Sequence, residues 1–396
     1  MSDESNNGTP EGASTESIMA GLPLKGYRII EIGHSVAAPY AGLILAELGA
    51  EVIKVERPGT GDDARAWGPP FVNDMSAIFH SLNRNKKSVT ADLKSKAGVA
   101  TVRQLIGSAD AVIQNLRPGL AQSVGLGEEI LRADNPRLIY ASIHAFGKNG
   151  PLSDRPGYDP LMQAFGGVMS TQGEPGRPSV RTGTSMIDMG TGMWIVIGVL
   201  TALLQRETTG KGSVVDASLY ETALGWMVYF LPMLKMSGKL PSKAGSGTVM
   251  IAPYQAFNTS DGELVIAAGN DNLFRKACGV LGASEWVEDS RFKTNPLRVE
   301  NKPALVALIE AKTITKKSAE WAEMLDAVGV PNAPVQTIDQ VATHPQTEAL
   351  GILRDGDGGT DGDVDRFFGL PLSFDDARPG RNEPAPSLGR DNDNTD

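Results

Sequence analysis

YRIIEIGHSVAAPYAGLILAELGAEVIKVERPG, residues 27–59, decides the fold. YRIIEIG is a short apolar run rich in β-branched residues and ends in Gly, which reads as a buried strand. PYAGLILAELGA then runs at helical period, with Pro39 suited to a first turn and Gly49 to a stop. EVIKVERPG is a second strand, so the stretch is a βαβ unit. The spacing matches a dinucleotide-binding fold, and Glu56 stands at the end of the second strand where a ribose-binding acid would sit. The phosphate fingerprint is absent: the first turn reads GHSVAAP rather than G-x-G-x-x-G. The expectation is a Rossmann-like α/β architecture whose ligand is not NAD. The following turn, RPGTGDDAR from Arg57 to Arg65, sets Gly59 and Gly61 between cationic ends and suits a phosphate, a weak signal by itself.

The pattern continues downstream. KAGVATVRQLIGSA reads as a helix, ADAVIQNLRPG as a strand entering a Pro-Gly turn, and PRLIYASIHAFG as another strand. Strands alternating with helices imply a parallel sheet, whose ligands lie at the strands' carboxyl ends. The loops at Gly33, Arg57, Asn115 and Ala145 should therefore share one edge. Within SLNRNKKSVTADLK, the residues Arg84, Lys86, Lys87 and Lys94 form a local basic cluster, either a solvated face or an attractor for a polyanion.

A chain of 396 residues is too long for one ordinary core, so two domains are expected. The composition, 41% hydrophobic and 21% charged, describes a soluble globular protein, and a net charge of -10 argues against nucleic acid as the partner. The single cysteine, Cys278, makes no intramolecular disulfide and reads as a small packed hydrophobe in a reducing, cytoplasmic setting. Residues 1–22 lack the basic and apolar runs of a targeting signal and read as a disordered tail.

Asp159 and Asp188 stand among small and apolar residues between Gly157 and Met193, GYDPLMQAFGGVMSTQGEPGRPSVRTGTSMIDMGTGM. Asp188 fits an N-cap for a helix beginning near Met189. It also fits a nucleophile at a helix start, where Gly residues let a substrate approach the backbone. One residue can do both. MWIVIGVLTALLQRE holds only about a dozen unbroken apolar residues, short of the roughly 20 of a membrane span, and reads as a buried helix. TGKGS is a turn, VVDASLYETALGWMVYFLPMLKM a second long helix broken by Pro232, and YQAFNTSDGELVIAAG a hairpin with an Asp-Gly turn. The acidic stretch RDGDGGTDGDVDR fails as a calcium loop, because Gly359, Thr360 and Arg366 occupy ligand or turn positions, and reads as a solvated hairpin. No metal site is expected.

Taken in order, HSVAAPYAG, AELGAEVIKVERPGTGD, NRNKKSVTADLK, NLRPG, GYDPLMQAFGG, DMGTGM and TGKGSVVDASLYE resemble the class III coenzyme A transferases, over about Leu24 to Leu388. The resemblance implies a Rossmann-like large domain (23–225, with a return at 331–377), a smaller inserted α/β domain (226–330) and an interlocked homodimer, while the Pro-rich acidic composition of 378–396 reads as a flexible tail. It implies that Asp188 is the nucleophile, and that CoA meets His34, Val36, Ala37, Arg57, Lys94, Asn115, Leu116, Arg117, Tyr158 and Asp159. It further implies that Gly245 and Gly247 lie in a mobile lid. The implied substrates are an acyl-CoA thioester and a small carboxylic acid, with no tightly bound cofactor, nucleic acid or membrane as partner. Val36 and Ser123 depart from the formyl-CoA branch, which puts that substrate pair in doubt but not the chemistry.

Related racemases carry G-H-D where this chain has Gly157-Tyr158-Asp159. A tyrosine titrates near pH 10, far from the near-neutral value that proton shuttling favours, so transfer is the reading and α-methylacyl-CoA racemization the alternative. A non-catalytic nucleotide-binding module is the other.

Overall fold

The computed structural model describes residues 21–356 and 366–394. The disordered tail expected at the N-terminus, and the centre of the acidic loop, lie almost wholly outside these residues. The chain divides into two compact units: Met1–Met162, Thr182–Gly225 and Pro345–Asp396 form the first, and Gln163–Arg181 with Trp226–His344 form the second. The second unit thus takes in a segment before Asp188 and runs further than the 226–330 read from sequence.

The first unit is built as the opening stretch dictates. β1 (Arg28–Ile32), α1 (Ala37–Glu47) and β2 (Glu51–Glu56) form the βαβ unit. There follow α2 (Ala77–Asn83), β3 (Lys86–Thr90), α3 (Lys96–Gly107), β4 (Ala111–Gln114), α4 (Glu128–Asp134) and β5 (Ile139–His144). After α5 (Asp159–Phe165) and α6 (Met186–Thr209) the chain enters β6 (Val214–Ser218) and α7 (Leu219–Trp226). The six strands make one sheet in the order β3-β2-β1-β4-β5-β6, every pair parallel, with Ile30 opposite both Ile53 and Val112. Nearly continuous burial along β1, β2 and β4 follows from cover on both faces. On one side Ile30, Ile53, Val89 and Val112 pack on Val102, Leu105 and Ile106 of α3 and Leu131 of α4. On the other, α6 comes close through glycine: a Cβ added at Gly198 would stand 2.4 Å from Val215 of β6.

Three expectations fail locally. VVDAS begins not a helix but the sixth strand, in keeping with its β-branched start. The helical break falls at 227–229, before Pro232, which occupies the first turn of α8 (Phe230–Ser237), where its missing N–H costs nothing. The segment expected as a flexible tail is instead fastened along the edge strand β3. Asp391 accepts from the Ser88 N–H at 2.8 Å, Asn392 from the Thr90 N–H at 2.8 Å, and Arg390 donates to the Lys86 carbonyl at 3.1 Å.

The second unit holds a three-stranded antiparallel sheet of β7 (Tyr254–Asn258), β8 (Glu263–Ala267) and β9 (Asn332–Pro334). The first two form the expected Asp-Gly hairpin. Phe257, Leu264 and Ile266 pack on Phe274 and Cys278 of α9 (Asp271–Val280), Leu305 and Ile309 of α10 (Lys302–Thr313), and Trp321 and Leu325 of α11 (Ser318–Asp326). Burial pushes the Cys278 thiol up to about 12, so it packs as the hydrophobe the sequence suggested. Flanking the acidic stretch, β10 (Leu353–Asp355) and β11 (Arg366–Phe368) pair antiparallel, as a hairpin requires.

Candidate active site

Strand order reverses beside β1: the chain goes from β1 outward through β2 to β3, then returns to β4 on the other flank. Open parallel sheets bind ligands at the carboxyl ends of strands next to such a switch. His34, just after β1, and Asn115, just after β4, meet across it. The His34 N–H donates to the Asn115 side-chain oxygen at 3.0 Å, and the Asn115 amide donates back to the His34 carbonyl at 2.8 Å. Burial holds the His34 imidazole below its ordinary value. Ser35 beside it takes φ 69, and its N–H donates to Asp62 at 2.9 Å. Val36 and Ala37 are buried at the start of α1, a helix with no side-chain cap and no acid in its first turn. Leu116 is half-buried against the α3 side of the sheet, while Arg117 and Lys94 are exposed on their loops.

Asp188 enters from α6. It is the third residue of that helix and only 8% exposed. The N-cap position belongs to Ser185, whose side chain makes no cap. Asp159, 1% exposed, supplies the cap instead: its carboxylate accepts from the Ile187 N–H at 2.7 Å and the Asp188 N–H at 3.2 Å. The capping reading of Asp188 is therefore corrected in favour of the other acid of the pair. Burial, with the Asp159 carboxylate beside it, pushes the Asp188 carboxyl up to about 7. Such a group is part carboxylate at neutral pH and more basic than an exposed aspartate. Thr191 ties the turn below it to α7 through Thr222 at 2.8 Å.

The two halves of the site adjoin. Met189 packs with Val36 and Tyr40, and a Cβ added at Gly192 would lie 2.7 Å from the Ala37 carbonyl oxygen. Asp188, one turn before Gly192, is thereby set beside the His34–Ala37 turn. Tyr158 is half exposed next to Asp159.

Other sequence candidates behave differently. Arg57 is exposed and pairs with Asp63. Glu56 does not wait for a ribose: it is buried, held by Arg65 Nε at 2.8 Å and Nη2 at 2.7 Å and by Ser88 at 2.7 Å. Arg84 and Lys86 of the basic cluster are no solvated face, because Arg84 pairs with buried Glu47 at 2.9 Å and Lys86 with buried Glu31 at 2.8 Å, whereas Lys87, paired with Glu51 at 2.5 Å, is part-exposed and Lys94 is exposed. Gly245 and Gly247 belong to the second unit, where the Gly245 N–H donates to the Gly173 carbonyl at 3.1 Å. Asp62, Lys54 and Glu31 were missed. For Glu31 and Lys54 the available signal was a charged residue inside each of the apolar strands RIIEI and EVIKVE.

Residues 24–392 match the model of CoA-transferase family III. The chain belongs to this family. It is accordingly an enzyme, a CoA-transferase with CoA thioesters as substrates. The succinyl-CoA:glutarate CoA-transferase of Mus musculus is 36% identical over 368 residues, covering 93% of this chain and 84% of the relative. The acetyl-CoA:oxalate CoA-transferase of Acetobacter aceti is 38% identical over 332 residues, covering 84% and 85%. Among solved structures, a CAIB/BAIF family protein from Brucella suis superposes with a TM-score of 0.84 at 40% identity, covering 93% of this chain and 97% of its own.

Proposed function

We propose that the protein transfers CoA from succinyl-CoA or a similar donor to a small carboxylic acid through covalent intermediates on Asp188. A carboxylate oxygen of Asp188 attacks the thioester carbonyl, the C–S bond breaks, and CoA leaves as thiolate from a mixed anhydride. The thiolate attacks the aspartyl carbonyl and expels the donor carboxylate, leaving an aspartyl-CoA thioester. The acceptor carboxylate then displaces the thiolate to form a second anhydride. Attack of the thiolate on the acceptor carbonyl gives the new thioester and regenerates Asp188. No net proton is consumed. Dividing the exchange among activated acyl species is covalent catalysis.

The observation that carries this reading is a carboxyl on the first turn of α6, buried, held near pKa 7 and set beside the turn at the sheet's switch point. His34, Val36, Ala37, Asn115, Leu116, Tyr158 and Asp159 would hold the CoA near Asp188, and Arg57, Lys94 and Arg117, exposed on neighbouring loops, would meet its phosphates. The uncapped start of α1 suits an anionic group. The names of the relatives support a dicarboxylic acceptor. A homodimer completes the reading, for which the exposed Met193, Trp194, Ile197 and Leu204 along α6 offer an apolar face.

Asp188→Ala should lose transfer by about four orders of magnitude or more, as removal of a nucleophile does, while CoA still binds. Hydroxylamine or borohydride added with succinyl-CoA should mark Asp188 in the wild type. Full activity in the variant, or an unmarked Asp188, refutes the route. Racemization would instead show α-proton exchange with deuterated water in the absence of any acceptor acid.

A further inference from the structure

Six buried charges under the His34 turn are left unexplained by the reaction. Glu31, Lys54, Glu56, Asp62, Arg65 and Lys86 are each no more than 8% exposed, and their formal charges cancel. Desolvating an ion costs several kcal/mol, and packed apolar side chains commonly serve stability as well as buried ion pairs do. The arrangement therefore calls for a reason beyond stability, and the contacts give one.

Lys54 Nζ donates to Glu31 at 2.7 Å and to the Gly33 carbonyl at 2.8 Å, and it meets Asp62 at 2.9 Å. Lys86 Nζ donates to the other oxygen of Glu31 at 2.8 Å, to the Pro39 carbonyl at 2.7 Å and to Asn83 at 3.0 Å. Asp62 accepts from the N–H groups of Ser35 and Ala64, each at 2.9 Å. Its own N–H donates to Glu56 at 3.0 Å, and Arg65 grips Glu56 in turn. Three of these anchors, on Gly33, Ser35 and Pro39, grip backbone on either side of His34, Val36 and Ala37.

The turn needs such anchors. Ser35 takes a left-handed backbone angle that L-residues avoid unless their surroundings impose it. Helix α1 is also cut away for the network, since a Cβ at Gly42 would stand 2.0 Å from Glu31.

We infer that Glu31, Lys54, Asp62 and Lys86 are positioning residues for the donor: their buried network fixes the His34–Ala37 turn in the shape that receives the CoA portion of the thioester. This rests on the reading of that turn as part of the CoA site. Preorganisation of this kind lowers the cost of ordering a site when ligand arrives.

The test compares Asp62→Ala, Asp62→Asn, His34→Ala and Glu47→Gln in the full chain. Glu47 is equally buried but lies at the opposite end of α1, paired with Arg84. Calorimetric titration with free CoA, the separate KM values for succinyl-CoA and for the acceptor acid, and circular dichroism are measured on each. Asp62→Ala should bind CoA about tenfold or more weakly, a change of about 1.4 kcal/mol or more, with the donor KM rising in step and the acceptor KM nearly unmoved. Asp62→Asn, which keeps an oxygen for the two N–H groups, should be only about threefold weaker. Glu47→Gln should leave CoA affinity unchanged whatever it does to the melting temperature.

Unchanged affinity in Asp62→Ala with weakened binding in His34→Ala would overturn the positioning role alone. Unchanged affinity in both would overturn the placement of CoA as well. Equal weakening by Glu47→Gln would also overturn the role, because it would mark a general loss of packing. If Asp62→Ala does not fold, unchanged CoA affinity in Asp62→Asn refutes the proposal. These titrations read binding without turnover, so they stand apart from the Asp188→Ala test of the covalent route.

Discussion

Asp188 is an acid made costly to ionise. Burial does most of this and Asp159 adds to it, placing the carboxyl at about 7 against an ordinary 3.8. Two pH predictions follow from the sign of that shift. Transfer should rise with pH along a limb centred near 7, and Asp159→Asn should move that limb to lower pH without bringing it to 3.8, since burial is the larger cause. A pH–rate profile of kcat/KM checks both. Because the folded state holds this proton more tightly than the unfolded chain, the group's contribution to stability is full below about pH 3.8 and is lost as pH rises through 7. Asp188→Asn should therefore melt above the wild type at pH 8 and lose that advantage near pH 3.5. The gain has a ceiling of a few kcal/mol, from about 1.4 kcal/mol per pKa unit. Denaturant titration at the two pH values measures it. The pairing of Asp188 with Asp159 was only half legible in sequence. Both acids stood out among glycines and apolar residues, but nothing local revealed that one would cap the other's helix from 29 residues upstream.

Helix α6 succeeds as a carrier because its second turn is bare. Gly192→Ala would drive a Cβ to 2.7 Å from the Ala37 carbonyl and 3.2 Å from the Ala41 nitrogen, backbone atoms that cannot swing away. It should cost about 1–3 kcal/mol, as overpacking does, and activity should fall further than thermal stability explains, because Asp188 shifts with the helix. Parallel melts and kcat measurements separate the two effects. The first strands and helix were legible because periodicity of buried faces is a local property. The basic run at 84–87 misled for the converse reason. Adjacent charges suggest a wet surface, yet Arg84 and Lys86 turn inward to carboxylates 37 and 55 residues away. The β6 strand was lost inside an apolar run that helix and strand patterns share.

At the level of the folded chain, six parallel strands bring the loops after Gly33, Arg57, Asn115 and Ala145 to one edge, as alternation of strands and helices implied. The exposed face of α6 bears on assembly. Leu204 is 74% exposed and Ile197 49%, apolar residues two turns apart on a helix otherwise packed against the sheet. Sedimentation should give a mass about twice the 41.9 kDa chain, and Ile197→Glu with Leu204→Glu should shift it toward one chain. A wild-type monomer at micromolar concentration would refute the proposed dimer.

The strap of Asp391 and Asn392 over Ser88 and Thr90 has a practical corollary for anyone handling the protein. Those two side chains seal backbone donors on the outermost strand, a place where foreign strands otherwise add. A recombinant version trimmed before Arg390 should clump on storage.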